Sequence, residues 1–141
     1  MSPSMSGTLR LLTVDGDGLR FEARIGDHAV VADNDPHAAE ANPVQLLLAS
    51  LAACEAMDVI SLLRKKRQVV TAYEVIMSGE RAAEHPRRFL AIDLLHRVTG
   101  RGVQRAAVDD ALRLTVEKYC SVYHCIRPDL PITNRVEIVE A

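Results

Sequence analysis

The chain has 141 residues, 48% of them hydrophobic and 26% charged, enough for one domain spanning residues 1–141 with a buried core and too apolar for a disordered chain. Its formal net charge of -2 leaves no electrostatic footprint for nucleic acid. Aromatic residues make up only 4% and Trp is absent, so the core must be aliphatic.

From Thr8 to Asp33 the pattern predicts three short strands. Leu9–Val14 leads into the turn Asp15-Gly16-Asp17-Gly18, Leu19–Ile25 alternates strictly, and Gly26-Asp27 turns the chain into His28–Ala32. Residues 34–41 read as a loop. Asn42-Pro43 then opens a long helix, with Asn at the cap and Pro at the first helical position. That helix is expected to run to about Arg67, with Leu46, Ala49, Ala53, Met57 and Ile60 on one side and Leu47, Leu51 and Leu62 on others. A helix apolar nearly all round is buried on all sides. One small sheet covers only one face, so a second subunit is expected on the other. The basic cluster Arg64-Lys65-Lys66-Arg67 complements the negative end of the helix dipole.

Two longer alternating segments follow, around 73–78 and 90–98, joined by a hairpin loop at Ala82–Pro86. Leu90, Ile92, Leu94, His96 and Val98 share one face of the second. Thr99-Gly100-Arg101-Gly102 separates it from a helix predicted from Val103 to about Lys118. A short helix over Cys120–Ile126 must stop before Pro128, and a last strand spans Ile132–Val139. The fold class is α+β, ordered βββ-α-ββ-α-α-β with an antiparallel sheet around the long buried helix.

The apolar run Leu46–Cys54 is nine residues long before Glu55 and Asp58 intrude, about half of a membrane span. The first residues lack the charged and apolar regions of a secretory signal. A soluble, cytoplasmic protein is expected. Its three cysteines are then reactive, metal-binding or buried rather than a disulfide framework.

Cys54 shares its helix face with Ser50, Leu51, Asp58 and Ser61, and the strip Ser50, Cys54, Asp58 and Ser61 is better suited to a small wet pocket than to core packing. The thiolate is the nucleophile of a cysteine, with an ordinary pKa of about 8.5 that burial raises. Glu55 and Asp58 oppose a further negative charge, so a reactive Cys54 needs a cation from elsewhere. Arg10, Arg20 and Arg24 on the first strands are the candidates. Cys120, His124 and Cys125 lack the second ligand pair of a structural zinc site. Gly16 and Gly18 open no helix and so form no phosphate loop.

Asn42 through Cys54, with its Asn-Pro start and Ala52-Ala53-Cys54 ending, resembles the cysteine helix of the OsmC/Ohr superfamily, the osmotically inducible and organic hydroperoxide resistance proteins. Glu117-Lys118-Tyr119-Cys120-Ser121-Val122 resembles its second cysteine motif. Both, together with Met57–Leu63, look closest to the YhfA-like branch. The resemblance spans essentially the whole chain and implies an intertwined homodimer, each long helix wrapped by sheet from both chains.

It also implies a thiol peroxidase for organic hydroperoxides that needs no metal, haem or flavin cofactor. Cys54 would attack the peroxide and become a sulfenic acid, Cys120 would resolve it to a disulfide, and a dithiol such as a lipoylated protein would restore both. The two sulfurs are then expected to face each other beside an arginine, with Cys125 elsewhere, and Arg20 is the best match for that arginine. Two positions depart from the pattern. Val44 stands where peroxidases of this group place the glutamate that holds the arginine, and Ser121 stands where proline usually follows the second cysteine. The alternatives are a non-catalytic dimer binding a small apolar ligand, which Val44 favours, and a thiol redox sensor or metal site using Cys125.

Overall fold

The computed structural model describes residues 3–141, in the order β1 (Gly7–Leu11), β2 (Arg20–Ile25), β3 (His28–Asp33), α1 (Pro43–Lys65), β4 (Val69–Arg81), β5 (Phe89–Arg101), α2 (Arg105–Leu114), a π-helical turn (Thr115–Tyr119), α3 (Ser121–Cys125) and β6 (Ile132–Glu140). The predicted succession βββ-α-ββ-α-α-β holds, with strand ends shifted by a few residues. The chain divides into two compact units, one ending at Leu47 and the other starting at Leu48, within α1.

The N-terminal unit is an antiparallel meander, β1-β2-β3. Gly26 takes a φ of 58° in the tight turn between β2 and β3, a conformation that costs glycine little. The sheet leaves Leu9, Leu11, Ile25 and Val30 exposed. The predicted loop over 34–41 forms no helix or strand.

The start of α1 is a reciprocal capping box: Asn42 N–H donates to Gln45 Oε1 and Gln45 N–H donates to Asn42 Oδ1, both at 2.9 Å. At its other end Arg67 takes a φ of 58°. Gln68 N–H donates to the Leu63 carbonyl and Arg67 N–H to the Arg64 carbonyl, both at 3.0 Å. This is the bonding of a Schellman cap, with arginine where glycine is usual.

The core stripe of α1 differs from the predicted one. Leu51, Ala52, Glu55, Val59 and Leu63 are buried, whereas Ala53 and Met57 face outward and Leu47 is 43% exposed. Composition hides this choice, because apolar residues surround the helix and several stripes look equally suitable. Within one chain α1 is therefore not covered on every side. Val59 and Leu63 nevertheless pack with Val98, Val103, Val108, Ala111 and Leu112 in the main hydrophobic cluster, so this long apolar helix is the core helix of a soluble fold.

In the C-terminal unit the sheet order is β4-β5-β6. β4 and β5 form the expected antiparallel hairpin, while β6 runs parallel to β5, which makes the sheet mixed rather than wholly antiparallel. The helical segment between β5 and β6 supplies the crossover that a parallel pair requires. Ile92, Leu94, His96, Val98 and Gly100 of β5 are buried and alternate with half-buried neighbours, as their period of two predicts; Leu90 is exposed.

Candidate active site

One turn of helix separates Cys54 from Asp58, which places them on the same face of α1. Cys120 arrives from a distant part of the unit, at the junction of the π-helical turn and α3. After α2 the chain widens into the π-helical turn, where Cys120 N–H donates to the Thr115 carbonyl at 2.8 Å and Thr115 Oγ1 donates to the Ala111 carbonyl at 2.8 Å. Single π turns often mark functional positions. Cys120 then caps α3, its Sγ accepting the Tyr123 N–H at 3.3 Å.

These elements bring Cys54 Sγ, Cys120 Sγ and a carboxylate oxygen of Asp58 within 4.8 Å of one another. All three cysteines are free; Cys54 is half-buried, Cys120 buried and Cys125 exposed. The two cysteines singled out by sequence therefore meet. The expected polar strip is represented by Asp58, which with Ser61, Leu62, Lys65 and Tyr119 lines a cavity of about 160 Å³. Burial pushes the Cys120 thiol up to about 12; the Tyr123 N–H works against the shift, and Cys54 and Glu55 add to it. Cys120 is thus a protonated thiol at neutral pH.

Beneath the thiols lies a buried polar group that the sequence does not signal. Glu55 and His96 are fully buried, with Glu55 Oε1 3.5 Å from His96 Nε2. His96 Nδ1 meets Tyr73 Oη at 2.6 Å and Nε2 meets Asn134 Oδ1 at 3.0 Å. The amide oxygen can only accept, so Nε2 carries hydrogen; in the neutral ring Nδ1 then accepts from the phenol. Burial, and then the charge of Glu55, raise the Tyr73 pKa further above its usual value. Among the described residues, both carboxylate oxygens of Glu55 and Oδ2 of Asp58 are buried without a hydrogen-bond partner.

Arg20 belongs to the N-terminal unit. Its Nη1 and Nη2 donate to the two oxygens of Glu40, the second at 2.8 Å, and Asp33 Oδ2 lies 3.8 Å from Nη1. Glu40 holds the Arg20 pKa above its ordinary value, and Arg20 holds that of Glu40 below. The carboxylate that grips this arginine therefore precedes Asn42-Pro43 rather than occupying the position of Val44. An acidic residue opposite a bidentate arginine is recognisable only once the fold joins the strand to the loop.

The C-x3-H-C grouping does not assemble. The ring nitrogen Nε2 of His124 donates to the Val116 carbonyl at 2.8 Å, and Cys125 is exposed while Cys120 is buried.

A family model of OsmC-like proteins matches residues 34–135. Protein YhfA of Escherichia coli K12 is 39% identical over 127 residues, covering 89% of this chain and 94% of that protein. The crystal structure of a hypothetical protein from Aquifex aeolicus VF5 superposes with a TM-score of 0.86 at 26% identity, covering 99% of each chain. An OsmC-like protein from Mycoplasma pneumoniae superposes with a TM-score of 0.82 at 17% identity, again over 99% of each chain; at that identity the likeness speaks for the fold.

Proposed function

The chain belongs to the OsmC-like family, and from that membership we propose that it is a two-cysteine thiol peroxidase that reduces organic hydroperoxides in oxidative-stress defence. The observation that carries the reading is the meeting of the Cys54 and Cys120 sulfurs within 4.8 Å.

Their unequal settings support Cys54 as the attacking and Cys120 as the resolving thiol. Cys54 is the more accessible sulfur, and Cys120 retains its proton. The Cys54 thiolate attacks one oxygen of the O–O bond; the alkoxide leaves, takes a proton and departs as the alcohol, and sulfur becomes a sulfenic acid. Cys120 then displaces the hydroxyl as water, closing the disulfide. Rotation about the side-chain bonds has to bring the sulfurs to the bonded distance of about 2.05 Å. An external dithiol, such as a lipoyl group, reduces the bridge by exchange. No metal, haem or flavin takes part in these steps. Arg20 keeps the activating role that the resemblance gives it, and the bidentate grip of Glu40 supports this by fixing the guanidinium.

The working unit is a homodimer acting as a single OsmC-like domain per chain. The outward apolar residues Met57, 69% exposed, and Leu47 on α1 favour a second copy, and the family match runs across the boundary between the two units. Stopped-flow mixing with cumene hydroperoxide tests the reading. Oxidation should be far faster than that of a free thiol and lost in Cys54→Ser; a rate no better than a free thiol overturns it.

A second reading is a non-catalytic binder of a small apolar ligand. A cavity of about 340 Å³ in the N-terminal unit, lined mostly by Leu9, Leu19, Phe21, Ala32 and Pro43, favours it. A ligand retained in native mass spectrometry, with both Cys54 and Cys120 inert to hydroperoxide, would decide for it.

A further inference from the structure

We propose that the reduced protein binds one thiophilic divalent cation, of which Zn2+ is the probe, between Cys54, Asp58 and Cys120. The three donor atoms, two sulfurs and one carboxylate oxygen, lie within 4.8 Å of one another. A tetrahedral zinc centre, with Zn–S near 2.3 Å and Zn–O near 2.1 Å, needs such donors about 3.6–3.8 Å apart. The contraction required is at most about 1 Å, within reach of side-chain rotation.

A second observation points to a ligand independently. Asp58 Oδ2 is buried and has no hydrogen-bond partner among the described residues, although an unpaired buried carboxylate oxygen is costly. No lysine or arginine of the C-terminal unit comes within 4.0 Å of that carboxylate, and the fully buried Glu55 neighbours Cys54 on α1. A cation bound by both thiolates would give the Asp58 carboxylate a partner. The cavity of about 160 Å³ beside Asp58 leaves room for a water. Three protein ligands and one water form an open zinc site rather than a closed structural one.

Binding displaces the two thiol protons, giving a neutral Cys54–Zn–Cys120 unit before Asp58 is counted. The same two sulfurs cannot hold the metal and form a disulfide. Reaction of the loaded pair with an organic hydroperoxide and two protons would yield disulfide, alcohol, water and free Zn2+. The metal would therefore shield Cys54 from oxidation, and disulfide formation would release it. This consequence rests on the peroxidase reading; the binding itself does not.

The full-length reduced protein is dialysed against ZnCl2 and counted by native mass spectrometry, with Co2+ as the spectroscopic probe. The expected result is one ion per chain, with sulfur-to-cobalt charge-transfer absorption and the visible bands of a tetrahedral site. Cys54→Ser and Cys120→Ala should each weaken binding by more than about 100-fold, and Asp58→Asn by about 10–100-fold with the sulfur absorption kept. Cys125→Ser should change nothing. Absence of stoichiometric binding by the wild type, undiminished binding in Cys54→Ser, or dependence on Cys125 overturns the proposal. Hydroperoxide oxidation of the metal-free protein is followed in parallel, so that loss of one property does not decide the other.

Discussion

Cys54 Sγ on α1 and Cys120 Sγ at the cap of α3 lie within 4.8 Å of each other, one half-buried and the other sealed from solvent. This asymmetry makes the two cysteines distinguishable by mutation. Cys54→Ser should abolish reaction with hydroperoxide. Cys120→Ala should still consume about one equivalent and accumulate a sulfenic acid on Cys54, but should fail to turn over with dithiol. Trapping with dimedone and mass spectrometry checks both outcomes.

Burial lifts the Cys120 thiol from its ordinary range to about 12. The folded state holds this proton more tightly than the unfolded chain, so the stabilisation is complete below about pH 9 and is lost as pH rises toward 12. Stability measured by urea unfolding should fall across that window, and the fall should flatten in Cys120→Ala. At pH 8 iodoacetamide should modify Cys125 and Cys54 well before Cys120.

Glu55 contributes to the raised pKa of both Cys120 and Tyr73. Glu55→Gln keeps the shape and removes the charge. It should lower both values, seen as faster alkylation of Cys120 at pH 9 and an earlier phenolate absorbance change. Unchanged titrations would mean that Glu55 carries no charge in the fold.

Arg20 is fixed by Glu40 through two hydrogen bonds. If it activates the thiol, Arg20→Ala should reduce kcat/KM for hydroperoxide by about 10²–10³-fold, the scale of removing one oriented electrostatic donor. Glu40→Gln should cost less, because the guanidinium remains and only its anchoring is lost. Thermal unfolding of both variants reports whether the losses are specific to activity.

The ends of α1 give a stability test free of the chemistry. Asn42→Ala removes the capping box and should cost about 1 kcal/mol. Arg67 occupies the left-handed region at φ 58°, which costs an L residue about 1–2 kcal/mol, while glycine loses about 0.5–1 kcal/mol of backbone freedom. Arg67→Gly should therefore stabilise by about 0.5–1 kcal/mol in urea unfolding.

The element order, the Asn42-Pro43 start of α1 and the alternation of β5 were legible because each depends on local pattern: a cap, a fixed proline φ, a period of two. The pairing of Cys54 with Cys120 was legible only through the family motifs, since no local rule joins such distant positions. Glu40 as the partner of Arg20, and Glu55 on the buried stripe beside His96, are choices of tertiary packing. The π turn before Cys120 leaves no mark that separates it from ordinary helix, so the helical pattern of α2 continues through it. The parallel pairing of β6 had one available signal, the helical crossover after β5, but its alternating edge-strand pattern is the same as that of an antiparallel strand.

The most direct test of the account is peptide mapping after one equivalent of organic hydroperoxide is added to the reduced, metal-free protein. The account predicts one intramolecular disulfide per chain, Cys54 to Cys120, with Cys125 still a free thiol. A bridge to Cys125, or Cys54 and Cys120 both recovered as thiols, would contradict it.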